Sequence, residues 1–152
     1  MYKRQAKGKP DVEVNVFADG TLVEGILPDG VIGENSLPAA VLAAFVEKYP
    51  NLHVKEWEVE RGLIKAEFLM PDGTETEAYF DMKGSWVRTE FDFKGSLPEA
   101  VMSYIVSNYP DYKVDDANYV QTPLGDYYEL ELEKNGRPDV YLNICEDATL
   151  WK

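Results

Sequence analysis

The chain has 152 residues, 45% of them hydrophobic and 28% charged, which is enough apolar content for a real core and the composition of an ordinary folded protein. Its formal charge of −13 repels phosphate backbones and anionic lipid, and no basic stretch interleaved with aromatics offsets that, so nucleic acid and membrane surfaces are excluded as natural partners. The single cysteine, Cys145, excludes a disulfide framework and a thiolate zinc site, and no run approaches the ~20 apolar residues of a membrane-spanning helix.

In chain order, Met1 to Gln5 is basic, unlike the rest of the chain, and reads as an assembly scar outside the fold. Gly8 to Glu24 reads as a hairpin. Its Gly8-Lys9-Pro10-Asp11-Val12 parallels Gly136-Arg137-Pro138-Asp139-Val140, so it resembles the last hairpin of a preceding unit whose helix is missing. Because an isolated hairpin is only marginally stable, it is expected to add to the neighbouring sheet. Gly25 to Asn35, rich in Gly, Pro and Asp, reads as a linker.

Two helices are expected from matching segments. Ser36-Leu37-Pro38-Ala39-Ala40-Val41 and Ser96-Leu97-Pro98-Glu99-Ala100-Val101 both run to a Tyr-Pro stop, and between Ser36 and Pro50 eight of fifteen positions equal their partners 60 residues on. Serine is expected to cap each start, with Ser96 and Glu99 as a capping box, and the closing proline cannot continue the ladder. Val41, Phe45 and Tyr49, like Val101, Ile105 and Tyr109, recur every fourth residue and give each helix one apolar stripe.

Four strand-like runs come after each helix: His53 to Arg61, Leu63 to Met70, Thr74 to Asp81 and Ser85 to Phe93, then Tyr112 to Gln121, Asp126 to Glu133, Asp139 to Cys145 and Thr149 to Lys152. Pro71-Asp72-Gly73 and Asn135-Gly136 are hairpin signals, and the short turns favour an antiparallel meander. Gly20, Gly84 and Ala148 fall at equal intervals of 64 residues in the turn before each last strand. The expected fold is therefore α+β, with tandem repeats of one helix plus a four-stranded antiparallel meander over residues 36–93 and 96–152. The short Lys94-Gly95 join implies that the two copies pack as one domain.

A Leu-Pro helix closing on Tyr-Pro, the Phe80-Asp81-x-x-Gly84-x-Trp86 turn and a second Leu-Pro helix together resemble the PepSY-like, β-lactamase-inhibitor-like proteins of the Bacteroidota envelope. The resemblance covers Ser36 to Lys152 and, in part, Gly8 to Glu24. It implies sheets joined side by side with helices packed on one face, no enzymatic activity, and a periplasmic or secreted location. Ala148 in place of the turn glycine and Asn143-Ile144 in place of Phe-Asp depart from the pattern.

Candidate chemistry is sparse. His53 is the only histidine and its counterpart is Lys113, so the unit does not require it, and it reads as a surface residue. Cys145 alternates against Val140, Leu142 and Ile144 and reads as an unreactive thiol. Glu56, Glu58 and Glu60 line one strand face, as a solvated sheet surface reads; neither these nor Asp115 and Asp116 form a calcium loop, and no Gly-rich phosphate cradle is present. No catalytic residue, metal site or cofactor is expected.

The aromatics carry more. Tyr79 and Tyr141 are expected on the face opposite the helices, with Tyr127 and Trp151 joining them, whereas Trp86 and Leu150 belong to the core side. Tyrosines among carboxylates suit a protein-binding face, and cross-strand pairing that merely stabilises the sheet is the alternative. The expected function is a non-enzymatic binding or inhibitor-like domain that takes a protein or peptide on this face, with Tyr79 and Tyr141 accessible. Two alternatives are a structural module of a longer repeat array and a carboxylate-dependent enzyme, though no spacing demonstrates a pocket of converging acids.

Overall fold

The structure, a computed structural model, describes residues 2–4, 12–18, 22–23 and 27–152. Two compact units divide the chain, Met1–Arg88 and Thr89–Lys152. In the first unit, helix α1 (Ala39–Lys48) precedes strands β5 (Val54–Glu60), β6 (Leu63–Leu69) and β7 (Glu75–Phe80) and the start of β8 (Trp86–Asp92). Val41 and Phe45 on α1, followed by Tyr49, bury the expected stripe against Trp57, Val59, Ile64, Ala66, Phe68, Ala78 and Phe80. Phe45 is the hub: its ring meets Trp57 and Phe68 edge-on at centroid distances of 5.3 and 5.1 Å. Burial of such a side chain contributes roughly 1.5–3 kcal/mol, and edge-to-face pairing about 0.5–1.5 kcal/mol more.

The helix start differs from the expected serine cap. Pro38 occupies the cap position with an extended backbone (φ −56°, ψ 133°), no side-chain cap bond forms, and Ser36 sits in a short 3-10 turn (Glu34–Ser36). Ser36 lies two residues too early to reach the N–H groups of the first turn. The residue between is Leu37, wholly buried in the first core, onto which Leu42 also packs; these are the two positions of a hydrophobic staple, which fixes the chain's entry. Pro98 caps α2 (Glu99–Asn108) in the same way, at φ −54° and ψ 147°, so the Ser96–Glu99 capping box is corrected too.

Ahead of α1, strands β1 (Tyr2–Arg4), β2 (Val12–Val16) and β3 (Leu22–Val23) form a separate three-stranded antiparallel sheet. β2 and β3 pair antiparallel within the stretch read as a hairpin, but among the described residues they do not extend the neighbouring sheet as expected. Phe17 instead bridges Pro38, and the Ala18 N–H donates to the Leu37 carbonyl. The edge beside β5 is taken by β4 (Gly30–Ile32), inside the stretch read as a linker, with Val31 opposite Glu58. Leu27 and Ile32 supply the reason, because both pack onto the first core and anchor a segment whose Gly and Pro content resembles a loop. Tyr2–Arg4, expected to be a scar outside the fold, pairs with β2. Met1, Gln5, the Gly8-Lys9-Pro10-Asp11 motif, Gly20 and Glu24 lie outside the described residues.

In the second unit, α2 precedes β9 (Lys113–Thr122), β10 (Gly125–Glu133) and β11 (Val140–Ile144), paired in that order, with the end of β8 along β9. Val101 and Ile105 pack onto Ala117, Leu130, Leu132, Leu142 and Ile144. The expected last strand, Thr149 to Lys152, is reduced to a bridge between Leu150 and Ile144 and one hydrogen bond from the Trp151 N–H to the Asn143 carbonyl. Leu150, expected in the core, is half exposed, since so brief a contact does not carry its side chain inward. Among the described residues the chain is α+β, with two helices and an open antiparallel sheet of eight strands, β4 to β11.

Candidate functional site

The sheet face opposite α1 carries Glu58, Glu60, Lys65, Glu77 and Tyr79, placed there by the two-residue alternation of β5, β6 and β7. Lys65 sits at its centre, with Nζ 3.3 Å from Glu58, 3.6 Å from Glu60 and 3.2 Å from Glu77. Burial opposes the ammonium charge, but the hydrogen bond to Glu77, the field of that carboxylate and the hydrogen bond to Glu58 outweigh it and hold Lys65 above its ordinary pKa.

Tyr79, expected to be accessible, is only 5% exposed. The Arg88 guanidinium lies 3.8 Å from its ring centre, and Lys65 is its cross-strand partner in the adjacent strand. Tyr79 is thus part of a closed cation–aromatic layer rather than a presented anchor. Arg88 and Lys65 are the residues that the sequence reading passed over. A cation on β8, the strand next to that of Tyr79, was the available signal.

In the second unit the face opposite α2 holds Tyr127, Glu129 and Glu131 on β10 and Tyr141 and Asn143 on β11, with Glu131 directly opposite Tyr141. Tyr141 is 73% exposed, as expected. Tyr127 is buried, stacked on Trp151 at 4.7 Å with the rings 21° apart, so these two form a fixed pair of which Trp151 keeps a partly exposed side. Asn118 donates to Glu129 at 3.2 Å.

This surface is negative. A hydrogen bond shared with the Asp139 carboxyl, with repulsion from Asp139, Asp115 and Asp116, pushes the Glu131 carboxyl above the usual carboxylate range. The field of Glu131, with that of Asp139, raises the Tyr141 phenol in turn. Among the described residues no group of three or more His, Cys, Asp or Glu is placed to hold a metal ion, and no helix is long and apolar enough to cross a membrane. His53 is exposed at the entry to β5, and Cys145 is a half-buried free thiol at the end of β11.

Residues 65–152 match the family described as "Putative beta-lactamase-inhibitor-like, PepSY-like". No curated protein matches the chain. Among solved structures, a BLIP-like protein from Bacteroides fragilis is 26% identical with a TM-score of 0.65, over 84% of this chain and 86% of that one. A DUF2874 family protein from Bacteroides uniformis is 25% identical with a TM-score of 0.67, over 76% and 86%. A protein from Bacteroides eggerthii described as periplasmic shares the fold, at 21% identity and a TM-score of 0.68 over 76% and 86%. With a family match spanning more than half of its length and the fold of these structures, the chain belongs to the PepSY-like, β-lactamase-inhibitor-like family.

Proposed function

We propose that the chain is a non-enzymatic, inhibitor-like binding protein of the periplasm or cell exterior that engages a protein or peptide through the sheet face opposite α2. The observation that carries this reading is Tyr141: a large aromatic side chain, 73% exposed, stands beside Glu131 and Asp139 on the face that also carries Tyr127, farther along β10 and stacked on Trp151. Aromatic anchors with two side-chain torsions lose little entropy on binding and dominate interface energetics, and the carboxylates around this one favour a partner with basic groups. The BLIP-like relative supports protein binding, and the relative described as periplasmic supports the location.

The same reading takes the two helix-plus-strand stretches as copies of one unit. Both helices have ten residues, are entered through a Leu-Pro pair, and end at a tyrosine with φ −128° and ψ 69° or φ −133° and ψ 64°.

The test is capture from an envelope extract of the source organism with the immobilised chain and with Tyr141→Ala, followed by reconstitution of any captured pair from purified components. A partner held by the native chain and lost by the variant, whose thermal unfolding is unchanged, supports the face. Equal retention by both rejects it.

A further inference from the structure

The second unit carries a surface groove of about 1010 Å³ between α2, the Phe93–Leu97 connection and the start of β9. Its origin is legible at an offset of 60 residues. In the first unit Phe45 of α1 and Trp57 of β5 fill the space between helix and strand with two rings in edge-to-face contact. The matching positions of the second unit are Ile105 and Ala117, both on the groove wall, and neither restores the lost rings. Met102 and Val106 of α2, 41% and 67% exposed, form an apolar lip. Asp92 and Lys94 on its border pair with each other at 3.6 Å, which leaves Asp111, Asp115 and Asp116 against Lys113 alone.

We propose that this groove is a docking site for a basic peptide segment of another protein that inserts an aromatic side chain over Ile105 and Ala117 while its flanking Lys or Arg residues meet the aspartate rim. The apolar floor supplies the burial term and the excess of carboxylates selects the charge of the flanks. A groove of this size accepts one or two large side chains and a few residues of backbone. The site lies on α2 and β9 and does not involve Tyr141, so it goes beyond the binding face proposed above and stands or falls separately.

The experiment uses the full chain and a fluorescein-labelled nine-residue peptide with one central tryptophan flanked on both sides by lysines, read by fluorescence anisotropy. Two control peptides replace the tryptophan by alanine or the lysines by glutamates. Saturable binding of the first peptide, at least tenfold weaker for either control, is expected. Ala117→Trp, which rebuilds the filling found in the first unit, should weaken binding at least tenfold. Val106→Asp, at an exposed position that leaves the core untouched, should do the same if Ala117→Trp fails to fold. Asp115→Asn with Asp116→Asn should flatten the salt dependence.

Equal binding of the peptide by native chain and folded Ala117→Trp or Val106→Asp overturns the proposal, as does no binding at all. Tighter binding of an uncharged apolar probe such as lauric acid, or a concentration-dependent dimer lost in Val106→Asp, overturns it in favour of a lipid or a second copy. Binding abolished by Tyr141→Ala but unchanged by the groove variants assigns the peptide to the sheet face, overturning this site and leaving the other intact.

Discussion

Gly84→Ala isolates a contact on which the first unit depends. Gly84 closes the turn between β7 and β8 at φ +86°, with its N–H donating to the Asp81 carbonyl while the Asp81 carboxylate accepts from the Lys83 and Ser85 N–H groups. A Cβ built there lies 2.5 Å from the Ala40 carbonyl oxygen, 2.8 Å from its carbon and 3.0 Å from its Cβ, all in the first turn of α1. Those atoms are backbone or nearly so and cannot swing aside. The left-handed backbone costs a Cβ-bearing residue about 1–2 kcal/mol, partly offset by about 0.5–1 kcal/mol from the less disordered unfolded chain. Forcing a methyl into packed structure adds about 1–3 kcal/mol, for a net loss of about 1–4.5 kcal/mol. Gly73→Ala separates the two parts, because Gly73 has φ +89° with nothing within 4 Å of its built Cβ, and it should cost only about 1 kcal/mol. Urea unfolding followed by tryptophan fluorescence reads both through Trp57 and Trp86 of the first unit, as a midpoint shift at constant slope. Equal midpoints for Gly84→Ala and Gly73→Ala would refute the claim that the turn is held against the helix by the missing side chain.

Ala148, at φ +72° in the corresponding turn of the second unit, already bears the left-handed strain, so Ala148→Gly should raise stability by about 0.5–1 kcal/mol, measured as a higher urea midpoint. Phe45→Ala removes the ring around which Tyr49, Trp57, Phe68 and Phe80 gather and should cost about 3–5 kcal/mol in the same assay. Lys65→Ala leaves Glu58, Glu60 and Glu77 facing one another; the expected loss is about 1 kcal/mol at pH 7 and low salt, and it should shrink at about 1 M salt, where the repulsion among them is screened. The Tyr119 hydroxyl donates to Asp126 at 2.7 Å, and that bond, with burial and the Asp126 charge, pushes its pKa up to about 12. Because the folded value exceeds the ordinary 10.0, this contribution to stability is complete below pH 10 and is lost as pH rises through 12. Ultraviolet titration should show one phenol returning toward its ordinary value in Asp126→Asn.

Local sequence carried a great deal of this protein. Helix stripes at Val41, Phe45 and Tyr49 and at Val101, Ile105 and Tyr109, the strand alternations and the hairpin turns depend on short-range sterics and on periodicity, and they lie where the residues place them. Helix entry is not legible locally, because serine is a good cap in isolation, whereas here the buried Leu37 one residue later decides where the chain enters. The edge strand β4 was hidden for a similar reason, its composition being that of a loop until Leu27 and Ile32 find a core to cover.

Side of the sheet was legible for the candidate aromatics, but exposure was not. Alternation places Tyr79, Tyr127 and Tyr141 on the faces opposite the helices, yet only Tyr141 is open, because Arg88 covers Tyr79 and Trp151 stacks on Tyr127. Alternation is a property of one strand, whereas coverage depends on which distant side chain happens to reach across. For the same reason the substitution of Ile105 and Ala117 for Phe45 and Trp57 could be counted in the sequence, but whether the space they vacate collapses or stays open as a groove was decided only by how the surrounding backbone packs.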